Sequence, residues 1–106
     1  MPNPNITPNT GGPISLPQAI QWTTNFRNTN SGAVKAHFFG EVIINQILSQ
    51  PGCIGLRLYN AIDDNNQPQI LLVGVDANGD DMTNDTIADL SLPCPNHCPS
   101  NSVLSM

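Results

Sequence analysis

Charge is what this chain has least of. Of its 106 residues only 10% are acidic or basic, and the fixed cations are Arg27, Lys35 and Arg57 against eight acidic residues. A formal charge of −5 leaves nothing with which to neutralise a phosphate backbone, so nucleic acid is not an expected partner. Long apolar runs are missing too. No stretch approaches the roughly 18 to 20 residues that span a bilayer, so a membrane is not an expected partner either. The opening MPNPNITPNTGG has neither the basic end nor the apolar centre of a secretory signal. A cytoplasmic location is the expectation, although a chain trimmed of its leader would look the same. The Asn-Ile-Thr and Asn-Asp-Thr triplets at Asn5 and Asn84 are too common by chance to argue for export.

The length suits one domain with one core, since domains typically run to about 100–150 residues. Residues 1–14 carry Pro2, Pro4, Pro8 and Pro13 and a Gly-Gly pair, with Ile6 and Ile14 the only large apolar groups besides Met1. Such a segment cannot bury enough surface to offset its ordering entropy and is expected to be a flexible arm. A single globular domain is expected over 15–106. At SLPQAIQWTTNFRN, Ser15 with Gln18 three residues later is a capping-box spacing, Pro17 fits a first turn, and Ala19, Trp22 and Phe26 recur at helical spacing. This predicts a helix over 16–28 with Trp22 and Phe26 as core anchors; ligand stacking is the second reading of Trp22.

Alternation in AVKAHFF predicts a short strand. Ile43, Ile44, Ile47 and Leu48 then trace one face of a helix that Pro51-Gly52 stops, and a single long helix over 33–50 is the competing reading. In CIGLRLYNAI, Ile54, Leu56, Leu58 and Ile62 alternate with Cys53, Gly55, Arg57 and Tyr59. In PQILLVGVDA the apolar residues are nearly continuous, as in a strand covered on both faces. With DDNNQ between them, the two segments read as an antiparallel hairpin whose second strand is central. Beyond DANGDD the chain is polar and turn-rich, with one weak apolar cluster at Ile87, Ala88, Leu90 and Leu92.

The blocks SQPGCIGLRLYNAID, QILLVGVDANGDD and LPCPNHC, in that order, resemble a family of small bacterial proteins of uncharacterised function, over roughly residues 16–100. The resemblance implies a compact stand-alone bacterial domain and transfers no activity, cofactor or catalytic residue.

Chemistry is concentrated in LPCPNHCPS. Prolines on either side of Cys94, His97 and Cys98 fix φ and remove backbone donors, so the segment reads as a rigid loop. Three uses of its sulfurs compete. A structural zinc needs four ligands, and here the missing ones would have to come from Cys53, His37 or a carboxylate. A disulfide is geometrically open between Cys94 and Cys98, or between Cys53 and either, but a cytoplasmic home argues against a permanent bridge. Reduced thiols packed as small apolar side chains are the simplest account. A catalytic thiol is weaker, because His97 offers a base by adjacency only.

DANGDD resembles the start of a calcium loop, yet its glycine is in the fourth place and no Glu closes the set, so a tight turn is the stronger reading. Arg57 and Tyr59 lie together on the less apolar side of the hairpin. Arg57 could pair with Asp63 or Asp76, or could present its fork to a carboxylate ligand, with His37 as a further candidate binding residue.

The expected architecture is α+β in the order α-β-α-β-β, with two helices packed on a small antiparallel-rich sheet and a long ordered C-terminal loop. The expected function is a non-enzymatic binding or protein-interaction module for an unidentified protein or small molecule. Pairing as a homodimer, or docking through an uncovered sheet face, belongs to that reading. It needs no cofactor. The rival is a metal-binding or thiol redox-responsive protein built on Cys94 and Cys98 with Cys53 or His97 assisting, and zinc is then the cofactor.

Overall fold

The computed structural model describes residues 5–105. They form an α+β fold with helix α1 (Leu16–Thr29), strand β1 (Ala36–Phe38), helix α2 (Glu41–Leu48) and strands β2 (Cys53–Ile62), β3 (Pro68–Asp76), β4 (Ile87–Ala88) and β5 (Leu92–Cys94). All strand pairs are antiparallel: β2-β3-β4 make one sheet, and β1 with β5 makes another. The chain divides into two compact units. The first joins the segment ending at Gly11 to Phe39–Ser91, and the second joins Gly12–Phe38 to the segment from Leu92 onward.

The first unit is built on the β2–β3 ladder. Cross-strand partners share a face, so the pairings Leu56↔Gly74, Leu58↔Leu72 and Leu72↔Ala88 put one apolar stripe on the side where α2 lies. Gly40 caps α2 and breaks the single long helix that was the competing reading. Ile47 of α2 is fully buried against Leu72 and Ala88, with Ile43, Ile44, Leu56, Ile70 and Cys53 packed around them.

A bulge between Cys53 and Gly55 corrects the simple alternation read from sequence. The extra residue returns Cys53 to the α2 side. Ile54 instead lines a cavity with Arg57, Val75, Ile6 and Pro8, so part of the N-terminal segment lies along this sheet.

Both sides of β3 are buried, since Leu72, Val73 and Val75 are all nearly inaccessible. Exposed apolar groups of this sheet lie on its edge strands, with Leu58 61% and Ile62 70% accessible on β2 and Ile87 49% on β4.

The two connecting loops use one device twice. Asp63 Oδ1 accepts from the backbone N–H of Asn65 and Gln67, and Asp76 Oδ1 accepts from those of Asn78 and Asp80. In each loop the fourth residue has positive φ, Asn66 at 64° and Gly79 at 85°, and its N–H donates to the carbonyl of the leading Asp. This is a type I turn followed by a left-handed residue, which explains the Asp-first, Asn- or Gly-fourth pattern of both loops.

In the second unit, Ser15 Oγ accepts from the Gln18 N–H at 3.2 Å, as the capping spacing predicts. The core-anchor expectation for Trp22 and Phe26 is corrected. α1 has no buried residue, and Trp22 is 56% accessible. The helix is too polar elsewhere, with Gln18, Gln21, Thr24 and Asn25 among its turns, to supply a continuous apolar stripe. Polar ties hold this unit instead. Arg27 Nη1 donates to Leu104 O at 2.6 Å and Lys35 Nζ to Ser105 O at 2.8 Å, fastening the C-terminal segment.

The close fit at β3 is testable. A Cβ on Gly74 would meet Cys53 Sγ at 3.0 Å and Ile47 Cγ2 at 3.2 Å, whereas one on Gly55 meets nothing within 4 Å. Urea unfolding should show Gly74→Ala less stable by about 1–3 kcal/mol, the usual cost of overpacking. Gly55→Ala should leave the midpoint unchanged or raise it.

Candidate functional site

The second unit gathers most of the chemistry-bearing residues into one place. Pairing of β1 with β5 sets Ala36 opposite Cys94, His37 opposite Pro93 and Phe38 opposite Leu92. The chain then turns, with the His97 N–H donating to Pro93 O at 2.8 Å, and brings Cys98 back to Cys94. The two sulfurs form a disulfide across a Cα–Cα distance of 4.6 Å, within the roughly 4.4–6.8 Å that such bridges span. Beside it lies a cavity of about 500 Å³ walled by Ala36, Phe38, Leu92 and Pro99, into whose lining His37, His97 and the bridge also enter. The bridge is lopsided. Cys94 is 2% accessible, while Cys98 is exposed.

This geometry corrects the simplest reading of the loop, that both its thiols are reduced. The turn at 94–98, closed by the His97 N–H on Pro93 O, holds the two Cα atoms 4.6 Å apart. Cys53 is the free cysteine; it belongs to the first unit, half-buried, with its S–H donating to Gly55 O at 3.3 Å. The bridge takes up both loop thiolates that a zinc site would need. Among the described residues no group of three or more His, Cys, Asp or Glu is placed to hold a metal ion. At DANGDD the Asp76 carboxylate is engaged by backbone N–H groups of its own turn.

Arg57 and Tyr59 belong to the first unit and His37 to the second. Arg57 is tied within its own unit. Its Nη1 donates to Asp81 Oδ1 at 2.5 Å and to Gly79 O at 3.3 Å, while the Tyr59 hydroxyl donates to the other oxygen of Asp81. Asp81, not Asp63 or Asp76, is the partner because the Asp76-led turn sends the chain back along β3 and bridges Asp81 to Val75. Val75 pairs with Gly55, so the carboxylate arrives on the face that carries Arg57 and Tyr59. The signal for this lay in the turn: once it is read as a two-sided hairpin loop, Asp81 follows by counting.

The three groups shift one another. The Tyr59 hydroxyl first, and then Arg57, hold the Asp81 carboxyl below its usual range against some desolvation. Asp81 in turn raises Tyr59 and Arg57, chiefly through the same hydrogen bonds. Asp63 is lowered too, first by the Gln67 N–H and then by the Gln69 side chain. Trp22 and Phe26, with Arg27, Lys35 and Leu104, border a separate cavity of about 230 Å³ in the second unit.

Comparison with known proteins adds no name to this site: the chain matches no family model, no curated protein and no solved structure.

The carboxylates set an acid limit. A depressed folded pKa gives stability that is complete above the unfolded value of about 3.9 and is lost as pH falls through the folded value beneath it. Urea midpoints should therefore decline from pH 5 toward pH 2. Asp81→Asn should flatten that decline while also lowering the midpoint at pH 7, and both effects should be modest because the Arg57–Asp81 pair is partly solvent-screened.

Proposed function

We propose that this protein is a small non-enzymatic binding module whose ligand enters the cleft of the second unit. The single observation that carries the reading is the 500 Å³ cavity with apolar walls and two imidazoles in its lining. That combination of size, apolar surface and few polar groups is what small-molecule sites share, with clefts of roughly 300–1,000 Å³. Phe38 and Leu92 offer flat and aliphatic surface to an apolar body. His97 offers a ring nitrogen to a polar end, with His37 beside it in the lining, and no carboxylate of the described residues lines the cavity. The ligand class that fits is a small aromatic molecule bearing a hydrogen-bond acceptor.

A second reading, a thiol-responsive protein, is favoured by the Cys94–Cys98 bridge itself. A ring closed over so few residues restrains the unfolded chain less than a long-range bridge would, so its worth as a staple is small. In a reducing cytoplasm such a bridge is a reversible element; in an oxidising compartment it is standing structure. No helix among the described residues is long and apolar enough to cross a membrane.

Titration of isotopically labelled protein with benzoate, an aromatic carboxylate probe, tests the first reading by NMR. The His37 and His97 ring signals should shift together, and Phe38→Ala should weaken the apparent affinity at least tenfold. Phe38 is exposed, so truncating it leaves the fold in place. Shifts that map elsewhere, or an affinity indifferent to Phe38→Ala, would overturn it.

A further inference from the structure

We infer that the Cys94–Cys98 bridge is an exchange site at which an incoming thiolate attacks the Cys98 sulfur and Cys94 is the leaving thiol. The inference rests on the thiol-responsive reading and names the reacting atom and the class of co-reactant.

Direction follows from access. Thiol–disulfide exchange needs the nucleophile to approach one sulfur, and which sulfur is attacked depends on which can be reached. Both cysteines line the cleft, but Cys98 is exposed, whereas Cys94 is 2% accessible and sits within β5. The backbone around Cys94 is committed as well, with the Lys35 N–H donating to its carbonyl at 2.8 Å and the Ala36 pairing beside it. The chain from His97 through Pro99 lies on the outside, and all three residues line the cleft.

The step balances without any group beyond the co-reactant, a low-molecular-weight or protein dithiol. Its first thiolate forms a bond to Cys98 Sγ as the bond between the two protein sulfurs breaks, and the electron pair leaves on Cys94. The departing Cys94 thiolate, whose residue also lines the cleft, takes up a proton from water. The second thiol of the co-reactant loses its proton and then attacks its own partner sulfur. This expels the Cys98 thiolate and leaves a reduced protein and an oxidised dithiol. Two electrons have moved from dithiol to bridge, and the reverse course restores the bridge. The apolar cleft beside Cys98 gives the co-reactant's body a surface to lie on, which favours a dithiol carried next to an apolar group.

The experiment uses the whole chain and a monothiol, which cannot complete the second step. Oxidised wild-type protein is held with glutathione, quenched with an alkylating reagent and mapped by peptide mass spectrometry. The expected product carries glutathione on Cys98 and the alkyl group on Cys94. In parallel, Cys94→Ser and Cys98→Ser variants are treated with glutathione disulfide, and adduct formation at Cys98 should be at least tenfold faster than at Cys94. Glutathione on Cys94 with alkylated Cys98 would overturn the assignment of the reacting sulfur and leave the thiol-responsive reading standing. A bridge that stays intact in millimolar glutathione and in dithiothreitol alike would overturn both. Because the wild-type arm needs no variant to fold, misfolding of either serine variant leaves the test decisive.

Discussion

The packing of Ile47 against Leu72, across a helix and the central strand of a three-stranded sheet, is the contact on which the rest of the first unit depends. Ile47 is fully buried, and around it the ladder from Cys53 to Asp76 finds the one apolar surface that justifies its register. A slip of one residue would turn Leu72 away from α2 and present Val73 and Leu71 instead, so the helix fixes the pairing as much as the pairing supports the helix. Gly74 marks how close that contact is, since it lies where a methyl group would strike Cys53 and Ile47.

A chain so poor in charge spends its carboxylates locally. Asp63 and Asp76 each accept from backbone N–H groups of the turns they lead, so their negative charge closes loops. Asp81 is drawn into an ion pair, and it engages Arg57 and Tyr59 together. The other two cations, Arg27 and Lys35, meet backbone carbonyls of the C-terminal segment. Thus the acidic excess leaves little fixed charge organised for recognition, and the functional reading turns on apolar surface, imidazole and sulfur.

The hairpin was legible because alternation in CIGLRLYNAI and an apolar run in PQILLVGVDA flank the polar DDNNQ. The nearly continuous apolar run from Ile70 to Val75 likewise announced a strand buried on both sides. What could not be read was anything set by an irregularity or by distant pairing. The bulge at Cys53 exchanges the environments of Cys53 and Ile54, and a period of two has no mark for it. Trp22 and Phe26 have helical spacing, but spacing says which residues share a face and not whether anything covers it. The cleft depends on β1 meeting β5, which brings His37 beside the Cys94 loop from far along the chain. That the two sulfurs sit on a proline-flanked loop was legible; the partners gathered around it were not.

The central claim is that the Ile47–Leu72 core of the first unit sustains itself without help from the sulfur bridge. Amide hydrogen exchange, followed in the oxidised protein and again after reduction by dithiothreitol, tests this most directly. The account predicts that the Leu72 and Val73 amides exchange slowest of all and keep their protection when the bridge is opened, while amides from Leu92 to Cys98 exchange faster. Loss of protection at Leu72 and Val73 on reduction, to the level of the 92–98 segment, would contradict it.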